Sequence, residues 1–205
     1  MYISNFARVE DSEKIKAFIQ AYGFGILVNQ IYGKPWATHI PFVLEKNAAN
    51  EDILFAHIAK ANKQWKSFQE DQEVLVIFQG PHAYISSSWY DHENVPTWNY
   101  AAVHVYGKIR IADKATVYKQ LSKLVDKYEA GNTNPVRVAD MSADMLEKQM
   151  NAIVGFEIHI SEIHAAEKLS QNRDEKNYSN IIAELEKKGD PDSMQVAEAM
   201  KKLKR

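Results

Sequence analysis

The clearest chemical signal lies in one short segment, LFAHIAKANKQW, at residues 54–65. A strand predicted to end near His57 is followed by Lys60, Asn62 and Lys63 around the start of a short predicted helix. Backbone N–H groups at a helix N-terminus, together with nearby cations, bind phosphate well. The segment therefore has the geometry of a phosphate site, but taken alone a capped surface helix with solvated lysines explains the same residues better.

The seven histidines do not form a convincing metal set. His159 and His164 are five positions apart, which puts them on opposite faces of one strand. Four others could converge only through the fold, and ordinary hydrogen-bonded strand or interface histidines explain them equally: His39, His57, His82 and His104. Structural zinc is therefore not expected.

Several families of enzymes and cofactor-binding proteins are excluded by missing motifs. The chain has no G-x-S-x-G elbow, no G-x-x-x-x-G-K-[ST] loop and no H-E-x-x-H helix. It contains no cysteine, which excludes disulfides, thiolate metal sites, iron–sulfur clusters and cysteine nucleophiles. The fragment Gly23-Phe24-Gly25 lacks the third glycine of a dinucleotide fingerprint.

Composition predicts a globular domain in the cytoplasm. The 205 residues are 45% hydrophobic and 25% charged, enough to bury a sizeable core. The N-terminus lacks the basic and apolar regions of a signal peptide, and no apolar run is long enough to cross a bilayer. The net charge of −2 provides no overall attraction to nucleic acid. All four tryptophans fall between Trp36 and Trp98, which suits a flat ligand, a packed sheet or a dimer interface.

The first half of the chain is predicted to be mostly strands. A helix capped by Asp11 precedes a hairpin, FGILVNQI and WATHIPFVL joined by the turn YGKP. Pro41 cannot donate a ladder hydrogen bond, so it marks an edge, a bulge or a ligand-facing gap. A third strand, ILFAHI, a short helix over 61–69 and a central strand, EVLVIFQ, follow. Residues 81–99 are predicted to be a long, mostly irregular connection, which in compact domains is usually functional or interfacial.

The second half combines two strands with helices. The strand YAAVHVYGKIRI has an apolar face (Ala101, Val103, Val105, Ile109, Ile111) and a polar, aromatic face (Tyr100, His104, Tyr106, Lys108, Arg110). An amphipathic helix starts at Asp113, with Val117, Leu121, Leu124, Val125 and Tyr128 on its buried stripe. A short helix over 142–150 precedes the strand AIVGFEIHISEI. Beyond Ala165 two helices are predicted, one ending at Gly189 and one starting at Asp190-Pro191. About six strands without βαβ alternation favour an α+β barrel.

Six segments together resemble the PaiB-like family of FMN-binding negative transcriptional regulators. They are ATHIPF (37–42), AHIAKANKQW (56–65), FQGPHAYISSSWY (78–90), VPTWNYAAVHVYG (95–107), IVGFEI (153–158) and KLSQNR (168–173). The resemblance runs from the first residues to about residue 200. Lys60 stands where the family pattern has arginine, and Ser87 where it has proline. A lysine keeps the charge but replaces a bidentate fork with a point charge.

The resemblance implies a fold and an assembly. The family looks like a relative of the pyridoxamine-phosphate-oxidase split barrel, which implies an α+β, FMN-binding split β-barrel with peripheral helices. The whole chain, 1–205, would form one domain, with the barrel and packed helices in 1–165 and a helical C-terminal extension in 166–205. The fold also implies a homodimer with two non-covalent FMN sites at the subunit boundary.

The same resemblance supplies candidate cofactor-binding residues. The polar edge of the flavin ring would meet the second strand at Thr38, His39 and Ile40, and the phosphate would meet His57, Lys60 and Asn62. Trp98, Asn99 and Tyr100 would come from the long connection. The KLSQNR segment would complete the site through Lys168, Gln171 and Arg173.

Three functions remain open from the sequence. The family implies an FMN-binding negative transcriptional regulator, but no helix-turn-helix is evident. The basic run Lys201, Lys202, Lys204 and Arg205 fits a favourable helix C-terminus better than a phosphate-binding tail. A flavin-dependent oxidoreductase using NAD(P)H is the alternative, with no residue demanded as acid or base. Haem binding or degradation on the same barrel is the third possibility.

Overall fold

The computed structural model describes residues 1–69 and 72–203, which form five α-helices and seven β-strands. The helices are α1 (Ser12–Ala21), α2 (Lys114–Glu129), α3 (Ala143–Asn151), α4 (Glu175–Lys188) and α5 (Pro191–Lys202). The strands are β1 (Phe24–Ile31), β2 (Lys34–Pro41), β3 (Val43–Lys46), β4 (Asp52–Ala59), β5 (Gln72–Ile85), β6 (Thr97–Ile111) and β7 (Ile153–Lys168). In this part of the chain, no helix has both the length and the apolar character needed to span a membrane.

All seven strands belong to one sheet, in the order β2-β1-β5-β6-β7-β4-β3. The registers of β1 with β2, β1 with β5, β3 with β4 and β4 with β7 are antiparallel. Among the described strands, β2 and β3 end this order without pairing with each other, although β2 contacts β4. The sheet is therefore curved but not closed, and the predicted α+β class is confirmed. Pro41 lies on β2, an edge strand, which suits a residue without a backbone donor.

Contacts divide the chain into two compact units. The first unit comprises Met1–Tyr22, Phe78–His104 and His164–Arg205, and the second comprises Gly23–Ile77 and Val105–Ile163. We call them the terminal unit and the central unit.

The central unit has an apolar core formed by strands and by α2. Its fully buried side chains include Leu27, Phe55, Phe156 and Ile158. Helix α2 packs directly on β7 at Gly155, where a Cβ atom would lie 2.3 Å from Cγ2 of Val117. Val117 and Leu124 are buried as predicted, but Tyr128 is 52% exposed and Ile111, on β6, is 54% exposed. Their expected burial was therefore wrong.

The terminal unit contains the C-terminal helical hairpin. Tyr178, Ile181 and Leu185 of α4 pack with Val196 and Met200 of α5 in one buried cluster. As predicted, Gly189 ends α4 in the left-handed conformation, with φ of 70°. Asp190 caps α5 by accepting a hydrogen bond from the backbone N–H of Ser193, and Pro191 occupies the first helical position.

Two segments differ from the sequence prediction. The segment 81–99, expected to be a mostly irregular connection, has strand at both ends, because β5 continues to Ile85 and β6 begins at Thr97; the connection itself is 86–96, with a 3₁₀ turn at Ser87–Trp89. Gly80 lies within β5 and permits close packing, since a Cβ atom there would lie 2.8 Å from the Phe18 ring. The helix expected over 61–69 is a five-residue 3₁₀ turn, Lys63–Ser67. A turn of this length has little macrodipole, so the helix-terminus argument for phosphate binding does not hold here.

Candidate functional site

Two of the predicted flavin residues are joined in the central unit. The Asn62 side-chain amide donates a hydrogen bond to Thr38 Oγ1 across 3.0 Å, and Thr38 Oγ1 donates in turn to Gln64 Oε1. The Asn62 carboxamide oxygen accepts from the backbone N–H of Gln64 at 3.0 Å, which caps the 3₁₀ turn. Strand β2 and the turn after β4 are therefore held together by side chains that both segments contribute.

Gln64 is the centre of this network, and the sequence did not reveal it. Its side chain is fully buried and donates to Leu27 O at 3.3 Å and to Asn29 Oδ1 at 3.0 Å. The Asn29 amide donates to Ser67 Oγ at 2.9 Å, and Ser67 Oγ donates to Gln64 O at 2.7 Å. Each buried group therefore has a partner, which makes the network rigid. The only sequence signal was the position of Gln64 within AHIAKANKQW.

Lys60 lies at the rim of a cavity rather than in this network. Its backbone N–H donates to Ala152 O at 2.8 Å, and its carbonyl accepts from the Trp65 indole N–H at 2.8 Å. Its exposed side chain lines a cavity of about 310 Å³ that also includes Lys114. None of the other predicted flavin residues lines that cavity.

His57 is half-buried on β4, opposite Gly155 of β7. Its Nδ1 atom is buried and has no hydrogen-bond partner among the described residues. Burial lowers the pKa of His57 below its usual value of 6.5, because the cationic form loses hydration. A neutral imidazole with an unpaired polar atom can accept or donate one hydrogen bond to a bound ligand.

The two other β2 candidates point to opposite faces of the strand. His39 is exposed, and its ring stacks on Phe24 with centroids 6.3 Å apart. Ile40 is only 7% exposed and belongs to the core. If β2 lines the flavin, Ile40 therefore contributes through its backbone, whereas His39 offers its side chain.

In the terminal unit, the KLSQNR segment forms an ordered turn. Ser170 has a left-handed backbone, with φ of 60°, and its hydroxyl donates to Asn99 Oδ1 at 3.0 Å. The Gln171 carboxamide accepts from Leu169 N at 2.7 Å and donates to Glu167 O. The predicted residues Asn99 and Gln171 are thus engaged in fixing this turn. Asn99 is fully buried, and its amide also approaches Met200 Sδ at 3.6 Å.

The same turn brings two cations close together. Lys168 donates to Thr97 Oγ1 at 2.5 Å, and the Arg173 guanidinium lies 5.1 Å from the centroid of the Tyr90 ring. The pKa of Lys168 is lowered, first by partial burial and then by the positive charge of Arg173. The charge of Arg173 therefore disfavours the protonated form of Lys168, and an anion bound beside both side chains would offset this repulsion between the two cations.

Trp98 and Tyr100 lie on an aromatic surface of the terminal unit. Trp98 is 52% exposed and contacts His82 and Tyr84, with ring centroids 6.0 and 5.9 Å apart. Tyr100 is half-buried on the same face of β6 as Trp98. We call His82, Tyr84, Trp98 and Tyr100 the aromatic face. Such a face suits a flat ligand or a protein partner.

The candidate residues thus fall into two sets. Thr38, His39, Ile40, His57, Lys60 and Asn62 lie in the central unit, whereas Trp98, Asn99, Tyr100, Lys168, Gln171 and Arg173 lie in the terminal unit. Direct contacts join Thr38 to Asn62 in the first set. In the second set, Ser170 and Thr97, which were not predicted, connect the KLSQNR turn to β6.

Two other sequence expectations can be compared with the described residues. In residues 1–69 and 72–203, no group of three or more His, Cys, Asp or Glu side chains is arranged to hold a metal ion. In the basic C-terminal run, Lys201 pairs with Glu186 and Lys202 pairs with Glu198 at 2.5 Å. Lys204 and Arg205 lie outside the described residues.

A comparison with protein families identifies the class of protein. Residues 1–162 match the family model described as "Putative FMN-binding domain", and the chain belongs to this family. The chain is also 46% identical to "Protease synthase and sporulation protein PAI 2" of Bacillus subtilis (strain 168), over all of this chain and 99% of that protein. The resemblance to the PaiB-like family is therefore confirmed.

Solved structures support the fold. A flavocytochrome from Azotobacter vinelandii, Anf3, superimposes with a TM-score of 0.63 at 20% identity, covering 87% of this chain and 78% of that one. An FAD and haem binding protein from Mycobacterium smegmatis gives a TM-score of 0.63 at 14% identity, covering 86% and 80%. Together with the open antiparallel sheet, these likenesses confirm the split-barrel fold.

Proposed function

We propose that this protein binds FMN non-covalently and acts as a negative transcriptional regulator. The observation that carries the flavin part is the paired cations of the KLSQNR turn. Lys168 and Arg173 are close enough for one charge to lower the pKa of the other, and the turn that holds them is fixed by buried hydrogen bonds. Fixed, mutually repelling cations are typical of a site that an anion completes.

Each candidate residue is assigned a role in this proposal. His57, Lys60 and Asn62 meet the phosphate, and the unpaired Nδ1 of His57 supplies one hydrogen bond. Thr38, His39 and Ile40 line the polar edge of the ring. Trp98 and Tyr100 contribute its aromatic surroundings, and Asn99 contributes through the KLSQNR turn that it holds by its hydrogen bond with Ser170. Lys168, Gln171 and Arg173 complete the site. Bound FMN supplies redox chemistry, and the residues of this chain bind and orient it.

The proposed assembly is a homodimer with FMN at the subunit boundary. The aromatic face supports it, because Tyr84 and Trp98 are 43% and 52% exposed on adjacent strands. Exposed aromatic clusters on sheets are typical of interaction surfaces. The proposed location is the cytoplasm.

The regulatory part rests on the relative. The Bacillus subtilis protein is named "Protease synthase and sporulation protein PAI 2", and we take its link to sporulation as support for a regulatory role for this chain. Direct DNA contact through the C-terminal run has little support, because Lys201 and Lys202 are neutralised by glutamates of α4 and α5. Repression therefore acts either through another surface or through a partner protein.

A flavin-dependent oxidoreductase using NAD(P)H is the second candidate. Two proteins with a similar fold are named a flavocytochrome and an FAD and haem binding protein, so redox cofactors occur on this fold, which supports testing this candidate. The same names keep haem as a third ligand to be tested. No acid or base in this chain is assigned a catalytic role.

One series of measurements tests the proposal. The freshly purified full chain is examined by absorption spectroscopy, titrated with FMN, FAD and riboflavin, and sized by light scattering. We expect flavin bands or saturable FMN binding in a dimer. A colourless monomer that excess FMN does not change would contradict the flavin proposal, and a Soret band would favour haem.

The proposed regulatory function and the proposed enzymatic function need separate experiments. Retention of the chain's own upstream DNA, with affinity falling steeply as salt rises, would support direct repression. Absence of any retained fragment at low salt would contradict it. Anaerobic reduction of the bound flavin by NADPH, with turnover when an acceptor is added, would favour the oxidoreductase.

A further inference from the structure

We propose that the cavity of the central unit lined by Lys60 and Lys114 binds a small aromatic acid, at a site separate from the flavin. We call it the two-lysine cavity. The inference concerns a second ligand, and it does not depend on whether the flavin proposal is correct.

The size and walls of the two-lysine cavity suit a small organic molecule. Its volume is about 310 Å³, at the lower end of the range for small-molecule sites. Ile111, Val117, Met150 and Ile153 give it an apolar wall, and the Trp65 ring lies among its lining residues. An inorganic anion would leave these apolar groups unused, whereas an aryl group would cover them.

Its charge favours an anion. The described residues that line the cavity include two lysines and no acidic side chain. Lys114 is the first residue of α2, where the helix dipole disfavours a cation, so helix stability does not explain a lysine there. Its ammonium group donates one hydrogen bond to Asn151 Oδ1, at 3.4 Å, which leaves further N–H groups for a ligand.

The rim of the cavity is held in place by backbone hydrogen bonds. The Trp65 indole N–H donates to Lys60 O, and Lys60 N donates to Ala152 O, both at 2.8 Å. Ala112 N donates to Gly155 O at 2.9 Å, and both residues also line the cavity. These bonds fix Trp65 and the start of the Lys60 side chain before any ligand arrives, which lowers the entropy cost of binding.

The cavity shares a single described residue, Lys60, with the proposed flavin residues, since none of the other candidates lines it. A substitution of Lys114 therefore tests ligand binding to the two-lysine cavity alone, whereas a substitution of Lys60 affects both proposed sites.

The test uses isothermal titration calorimetry on the full chain, with phenylacetate and phenyl phosphate as probes. 2-Phenylethanol is the neutral counterpart, and inorganic phosphate tests the charge without the apolar body. We expect one molecule of each aryl anion to bind per chain, at least about tenfold more tightly than the neutral alcohol or inorganic phosphate. Equal affinity for the alcohol would overturn the anion assignment, and equal affinity for inorganic phosphate would overturn the aryl assignment.

Substitutions then locate the site. Lys114→Ala should weaken both aryl anions by about tenfold or more and leave the affinity for FMN unchanged. Lys119→Ala, an exposed lysine of the same helix, is the matched control and should change neither. The proposal is overturned if Lys114→Ala leaves the probes unaffected, or if it weakens FMN as much as the probes. Absence of FMN binding would count against the flavin proposal alone, because the probes are measured without flavin.

Discussion

Asn62 donates a hydrogen bond to Thr38 Oγ1 across 3.0 Å, which joins the turn after β4 to edge strand β2. The sequence assigned these residues to different ends of a flavin, Thr38 to the ring and Asn62 to the phosphate. Their contact means that the groups proposed for both ends are positioned by one buried network centred on Gln64. A change at either residue should therefore affect both the fold and the ligand.

Thr38→Val should lower the free energy of unfolding by about 1–3 kcal/mol, because it leaves buried Gln64 Oε1 without its donor. We also expect FMN and riboflavin affinity to fall together, since the strand that lines the ring is loosened. Urea denaturation and flavin titration measure the two effects. Thr133→Val, at an exposed threonine, is the control, and its free energy of unfolding should stay within about 0.5 kcal/mol of that of the unsubstituted protein. Equal stability of the two variants would show that the network contributes little.

Lys60→Ala should weaken FMN by about 1–3 kcal/mol, the scale of a hydrogen bond to a charged group. Riboflavin, which lacks the phosphate, should bind nearly as before. Fluorescence titration with both ligands makes the comparison, and Lys63→Ala, an exposed neighbour, serves as the control. Parallel loss of both ligands would place Lys60 away from the phosphate.

Local sequence signals predicted much of the fold, because they act within a few residues. Asp11, Asp113 and Asp190 each accept hydrogen bonds from the first turn of the helix that follows, as predicted. The hairpin of β1 and β2 forms with its turn at Tyr32–Gly33, where φ is positive at both residues. None of these features requires knowledge of distant residues.

The sequence predictions fail where contacts between residues far apart in the chain determine the structure. The strand EVLVIFQ was predicted to end at Gln79, but β5 continues to Ile85, and the approach of the Phe18 ring requires a residue without a side chain at Gly80. Gln64 lies in a polar segment, yet its partners Asn29 and Leu27 come from β1, about 35 positions earlier in the chain. The resemblance supplied the candidate site residues, which remain predictions, but the cavity shared by Lys60 and Lys114 depends on packing that no local pattern encodes.

Lys168 should react with an amine-directed label at a lower pH than an ordinary lysine, because burial and Arg173 lower its pKa. Binding of FMN near it should shift the labelling midpoint upwards, since an anion favours the protonated form. Arg173→Gln should shift it in the same direction without ligand. Peptide mass spectrometry after labelling across a pH series measures the midpoint.

Lys176 is the internal comparison for this experiment. Its hydrogen bond to Asp91 raises its pKa, so it should be labelled only at higher pH and should not respond to FMN. A Lys168 midpoint that neither FMN nor Arg173→Gln moves would indicate that the KLSQNR turn does not hold an anion.

Acid should destabilise the protein partly through His57. The pKa of His57 is lowered in the folded chain, whereas it returns to about 6.5 on unfolding. Below that pH the unfolded chain binds the proton more readily, so the free energy of unfolding falls as the pH drops through about 6.5 towards the folded pKa. Above about pH 6.5, His57 is neutral in both the folded and the unfolded chain, so its contribution to the free energy of unfolding no longer changes with pH.

His57→Gln should therefore flatten the dependence of stability on pH, by at most about 1.4 kcal/mol per pH unit, which corresponds to one proton. Urea denaturation between about pH 5 and pH 8 measures the slope. His92→Gln, at an exposed histidine, keeps His57 and should retain this part of the slope. FMN that accepts a hydrogen bond from His57 would favour protonation and raise the pKa, so saturating FMN should reduce the slope in the unsubstituted protein but not in His57→Gln. If FMN changes the slope equally in both proteins, His57 does not contact the phosphate.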